Sequence, residues 1–182
     1  MSRPLFGGAL SATIPPNSKD ISELREIPDN QEAFAHTQTD QSIIIELLEY
    51  QNHVEDTQAA RYHFEDLAGD NKSSATGSWE VCGVEPLLQY QLECSSAWLL
   101  SGAQLISKFS EEAKNTVNIH LGLFRLPQYS TDILVTFNDP VIISHLSSSS
   151  CALSGSAATA WTLQDFHTLL QSLRLLDPGV FG

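Results

Sequence analysis

Five consecutive residues, Pro28-Asp29-Asn30-Gln31-Glu32, bring two carboxylates and two side-chain amides together just before the run that starts at Ala33-Phe34. Proline fixes its own φ and drives Ile27 toward an extended conformation. Asp-Asn then favours a tight turn, because short polar side chains bond their own backbone. Asp29 and Glu32 are thereby predicted on a stiff loop edge, the place where a rigid scaffold usually carries its function. The chemistry open to such a pair is recognition of cationic groups by charge-assisted hydrogen bonds. The alternative is an ordinary turn with solvated acids.

Other chemistries leave no trace. No glycine-rich phosphate loop precedes a Lys-Ser or Lys-Thr pair, so the chain does not read as a nucleotide hydrolase. Leu153-Ser154-Gly155 lacks the first glycine of a nucleophile elbow. The six histidines form neither an HExxH pair nor a Cys/His zinc pattern, and no metal or cofactor is expected. His63 and Asp66 stand at helical i, i+3 spacing and read as a structural pair. Glu65-Asp66 with Asp70-Asn71 has the wrong ligand spacing for a calcium loop.

The chain has 182 residues and a formal charge of -13, with nine Lys plus Arg against 22 Asp plus Glu. No basic patch for nucleic acid can be assembled from that balance, whereas a basic protein partner would be steered toward it. Length predicts one domain over 1–182, and monomer is the default. No secretory signal or membrane span is visible. Cys82, Cys94 and Cys151 lack a CxxC spacing and read as reduced thiols of an intracellular protein.

These residues need elements to hold them. Leu5 to Ile14 reads as extended around Gly7-Gly8, Asp20 as the N-cap of a short helical turn to Arg25, and Gln31 to His36 as a strand. Thr39-Asp40 is predicted to cap a helix whose stripe is Ile43, Ile44, Leu47, Leu48 and Val54. A second helix covers Thr57 to Ala68, followed by a loop over Gly69 to Ser74. Strands follow at Trp79 to Val84 and Ala97 to Phe109, then around Val117 to Leu123 and Ile133 to Phe137, with a hairpin loop at Glu111 to Asn115. Pro140 to Gln164 holds no Asp, Glu, Lys or Arg, and a mobile loop is predicted over 140–161. Leu163, Phe166, Leu169, Leu170 and Leu173 form a last helical stripe, capped by Thr162 with Asp165 and ended by Pro178. Trp98 reads as core, Trp161 as a packed staple and Trp79 as the exposed anchor candidate. The order predicts an α+β layer fold with a largely antiparallel sheet.

Several blocks, taken in order, resemble the Mog-type Ran guanine-nucleotide release factors. They are Pro4 to Ala9, Asp20 to Arg25, Pro28 to Glu32, Thr39 to Glu49, Ala60 to Asp66, Leu126 to Asp132 and Asp177 to Phe181. The resemblance implies a PsbP-like α/β/α sandwich. It matches Thr39 to Glu49 with the first long helix of the family and Ala60 to Asp66 with the second. It also implies a regulatory protein, not an enzyme, that binds Ran, promotes nucleotide release and supports nuclear import from nucleus and cytoplasm. Ran binding is carried onto Asp29 and Glu32. Asn30, Gln31, Phe34 and Asp40 follow by proximity, while Arg25 either holds the turn or meets the partner. Vertebrate relatives imply a second partner, a cytoplasmic loop of the cardiac voltage-gated sodium channel. That partner supports the alternative of a trafficking adaptor peripheral at the plasma membrane.

Overall fold

The computed structural model describes residues 2–70, 79–106, 115–141 and 160–181. Ten strands and two helices build it. β1 (Ser2–Leu5), β2 (Leu10–Thr13), β3 (Ser18–Asp20), β4 (Gln31–His36) and β5 (Ser42–Glu49) precede helix α1 (Asp56–Asp70). β6 (Trp79–Pro86), β7 (Ser96–Ile106), β8 (Asn115–Leu126) and β9 (Thr131–Val141) follow, then helix α2 (Leu163–Ser172) and β10 (Arg174–Leu175). Seven strands form one sheet in the order β3-β4-β5-β9-β8-β7-β6, and a small sheet runs β1-β2-β10. Every pairing among these strands is antiparallel.

Alternation along the central strands divides the core in two. Ile119, Leu121 and Leu123 of β8 join Leu100 and Leu134 beneath Ala59, Ala60 and Phe64 of α1. Phe34, Ile43, Ile45, Phe124, Ile133, Val135 and Phe137 face the opposite way, toward Phe166, Leu169 and Leu170 of α2 and Leu10 of the small sheet. The layers are therefore helix, large sheet, and helix with small sheet. This is the α+β class expected from the sequence. Among the described residues, no helix is long and apolar enough to cross a membrane.

The first predicted helix is a strand. β5 pairs with β9 along its whole length and with β4 from Ser42 to Glu46, and Ile43 and Ile45 are buried while Ile44 is half-buried. Two features decide this. The Ile43-Ile44-Ile45 triplet is β-branched and fits a pleated surface. A strand covered on both faces also reads as an unbroken apolar run, which a helical stripe counterfeits. The match of Thr39 to Glu49 with a long helix fails with it, and the helix over Ala60 to Asp66 is the first of the fold.

α2 has the predicted cap. Thr162 Oγ1 accepts from Asp165 N at 3.1 Å, and Asp165 Oδ2 accepts from Thr162 N at 2.9 Å. Trp161 is buried, and its indole donates to Pro16 O at 2.7 Å. The side chain of Gln41 grips the Trp161 backbone, accepting from its N–H and donating to its C=O, both at 2.8 Å. Pro140 and Val141 end β9, opposite Val117 and Thr116. Residues 142–159, most of the predicted loop, lie outside the described residues. So do 71–74 of the first predicted loop, most of the predicted hairpin loop, Cys151 and the Trp79 side chain. Trp98 is half-buried against the α1 side of the core, in line with its reading.

His63 does not pair with Asp66. Its Nε2 lies 3.0 Å from Asp132 Oδ2, and Asp132 Oδ1 accepts from Arg125 Nε at 3.2 Å. Arg125 is fully buried and also donates to Val54 O (2.7 Å), Asp56 Oδ1 (2.9 Å) and Gln51 O (2.6 Å). This network ties residues 51–56 and α1 to the β8–β9 ladder. Helical spacing is a local signal, whereas Asp132 reaches His63 only through the sheet, 69 residues along the chain.

Candidate functional site

Asp29 and Glu32 lie at one end of the β4–β5 hairpin, and hydrogen bonds hold the turn between them. Gln31 N donates to Pro28 O at 3.0 Å. Asn30 and Leu47 are tied twice, by Leu47 N to Asn30 O at 2.9 Å and by Asn30 Nδ2 to Leu47 O at 3.0 Å. Gln31 Nε2 donates to Glu46 Oε2 at 3.0 Å. The amides of Asn30 and Gln31 thus serve first to lock the turn onto β5. Asp29 is exposed, and its carboxylate makes no hydrogen bond or ion pair with the described residues.

Glu32 stands opposite Ile45, on the sheet face that buries Phe34 and Ile43. It is half-buried, and Phe6 N donates to its Oε1 at 3.4 Å. Burial raises the Glu32 pKa above the ordinary value. The Phe6 N–H and the Arg3 charge oppose that rise, and Asp20 adds to it. Arg3 pairs with Asp20 at 2.9 Å and stacks its guanidinium 5.0 Å from the Phe34 ring. Burial also pushes Asp20 upward, but hydrogen bonds from Ser22 and Arg3 outweigh it and leave the Asp20 pKa lowered.

The remaining candidates separate. Phe34 is fully buried in the core, with Arg3 stacked over its ring and no face for a partner. Asp40 is exposed, but it sits at the far end of the hairpin, a six-residue strand or about 20 Å away. Arg25 is exposed and lines a groove with Ser22, Glu26, Ile27, Pro28, Asp29, Gln31 and Glu32. That groove has a volume of about 310 Å³ and brings Glu26 beside the two predicted acids.

Acids Asp20, Glu23, Glu26, Asp29 and Glu32 recur at every third position, with Arg25 as the only base among residues 20–32. Asp20 caps the 3-10 turn Ile21–Glu23 and pairs with Arg3, while Glu26, Asp29 and Glu32 line one groove and form an acidic ridge beside Arg25. The period of three was legible in the sequence. Glu26 joins the groove without a sequence signal of its own, since the turn chemistry begins only at Pro28.

The family model described as Ran-interacting Mog1 protein matches residues 3–140. The chain belongs to the Ran-interacting Mog1 family. A zebrafish Ran guanine nucleotide release factor is 70% identical over the whole of both chains. The human protein of the same name is 46% identical, covering 98% of this chain and 95% of its own. The fission-yeast nuclear import protein mog1 is 33% identical over 98% of each. The crystal structure of the budding-yeast Ran-binding protein Mog1p superposes with a TM-score of 0.74 at 22% identity, over 100% of this chain and 98% of that one. The Mog1 fold is therefore the one described above, with the ridge inside the matched region.

Proposed function

We propose that this chain binds Ran through the Asp29–Glu32 ridge and promotes release of its guanine nucleotide, supporting protein import between cytoplasm and nucleus. The names of its relatives, Ran guanine nucleotide release factor and nuclear import protein, support the partner and the process. The observation that carries the site is an unpaired Asp29 carboxylate beside a partly desolvated Glu32, on a turn locked from both strands.

A release factor needs no nucleophile. It binds the nucleotide-free GTPase more tightly than the loaded one, and linkage then requires each ligand to weaken the other by the same factor. Carboxylates suit this in two ways. They pair with Lys or Arg of the GTPase, and they disfavour nearby phosphate. The rigid turn means that little backbone freedom is lost on binding.

The test follows fluorescent GTP leaving purified Ran as this protein is added, with Glu32→Lys alongside. Faster release with the wild type and none with a correctly folded variant supports both activity and site. No acceleration by wild type removes the activity. Acceleration by both moves the site elsewhere.

A further inference from the structure

Asp29 is a divide between two grooves. On the side away from Glu32, a second groove of about 390 Å³ is lined by Asp29, Asn30, Leu47, Leu48, Glu49, Ser130, Thr131, Val180 and Phe181. Its chemistry differs from that of the ridge. Leu47, Val180 and Phe181 are partly buried and packed on the core, so they form an apolar wall that does not yield. Phe181 stacks on Tyr129 with ring centroids 5.0 Å apart. Ser130, in the left-handed region at φ 53°, accepts Tyr50 N at 3.0 Å and fixes the opposite wall. Two carboxylates stand at the rim, Asp29 and Glu49, both exposed and both without an ionic partner among the described residues. No lysine or arginine lines the groove.

We infer that this groove seats the side chain of a lysine or arginine from the same partner that meets the ridge. The inference rests on the ridge being the partner surface and extends that surface past Asp29 to the C-terminal turn. A long cationic side chain matches both halves of the groove at once. Its methylene stem covers Leu47, Val180 and Phe181, and its head reaches the two carboxylates. An apolar side chain would leave the carboxylates unanswered. A free cation would leave the apolar wall wet. The groove is also open to solvent, so a small ligand is weakly enclosed there, whereas a side chain is anchored by the rest of its protein.

The experiment is titration of nucleotide-free Ran against wild type, Glu49→Gln, Glu49→Lys and Val180→Ser. Asp29→Lys is the reference, and Glu85→Lys, an exposed acid on β6, is the distant control. The expected losses are about threefold to tenfold for Glu49→Gln and Val180→Ser, and more than about tenfold for Glu49→Lys, with Glu85→Lys within about twofold. Normal binding by Glu49→Lys, with Asp29→Lys impaired, overturns the groove and leaves the ridge. A loss confined to Glu49→Lys, with Glu49→Gln and Val180→Ser normal, also overturns it, because that pattern is repulsion without a seat. Normal binding by both Asp29→Lys and Glu49→Lys overturns groove and ridge together. Circular dichroism on each variant confirms the fold.

Discussion

The main-chain N–H of Phe6 donates to Oε1 of Glu32 across 3.4 Å, joining the small sheet to the edge of the large one. Phe6 does this from the left-handed region, at φ 52°, and Gly7 and Gly8 continue the turn at φ 70° and 94°. Such a run is tolerable for glycine and uncommon for a side chain as large as phenylalanine. Backbone strain of this kind clusters where function needs a group held in place. Here the group is a carboxylate that burial disfavours in its ionised form.

The sign of the pH dependence follows. A raised folded-state pKa means that the folded chain holds the Glu32 proton more tightly than the unfolded chain does. Ionisation therefore costs stability, absent below the ordinary value of 4.5 and fully present once pH has risen through the folded value. Glu32→Gln keeps an oxygen for Phe6 N and removes that cost. The expected outcome is a Tm at pH 7 equal to or above wild type, with the difference vanishing near pH 4 and Ran binding weakened about tenfold to a hundredfold. Wild-type binding should also fall as pH drops through the raised folded-state value of Glu32, in a step that the variant lacks. Thermal melts at the two pH values, with binding curves between them, check all three.

Arg3 is the cation beside Glu32, although its ion pair is with Asp20. In Arg3→Met both carboxylates lose that charge. The Glu32 titration should move further upward and that of Asp20 should rise toward its ordinary range, read by carbon NMR of the carboxyl groups. Stability should change by less than about 1 kcal/mol, because the pair is partly exposed. An unmoved Glu32 titration would show that Arg3 is a bystander.

How far the sequence could be read depended on the range of each signal. The α2 cap, the Asp20 cap and the alternation of β8 and β9 are short-range, and the structure has them where the residues predicted them. β5 was misread because its three isoleucines lie in an interior strand, where burial on both faces erases the period of two. Phe34 was offered for its nearness to Glu32 in the chain, but a strand sends residues two apart to the same face, and here that face is core. The groove beyond Asp29 had no sequence signal at all. Its lining comes from the turn before β4, the end of β5, the turn into β9 and the C-terminal turn, which only the folded sheet brings together.

The Arg125–Asp132–His63 network should govern stability and leave binding alone. Arg125 and Asp132 are directly opposed on β8 and β9, both fully buried. Removing one partner of such a buried pair strands the other charge and costs about 3 to 5 kcal/mol. Arg125→Met additionally frees Gln51 O, Val54 O and Asp56. Urea unfolding of Asp132→Asn and Arg125→Met is expected to show losses of that order, while the surviving folded fraction binds Ran with unchanged affinity. A selective loss of affinity would mean that residues 51–56 belong to the interface.

The contact between β8 and α2 makes the sharpest steric prediction. A Cβ placed on Gly122 would overlap the Cδ atoms of Leu170, which is fully buried on the inner face of α2. Glycine is present there because the helix lies against the strand backbone and leaves no room for a methyl group, a matter of space and not of φ. Overpacking of this kind costs about 1 to 3 kcal/mol. Gly122→Ala should therefore lower the Tm, and Leu170→Ala, destabilising alone, should partly rescue it by supplying the missing volume. Rescue in the double variant identifies the contact, since two independent defects would simply add. The ridge lies on the β4 end of the sheet and should keep its Ran affinity in any variant that remains folded.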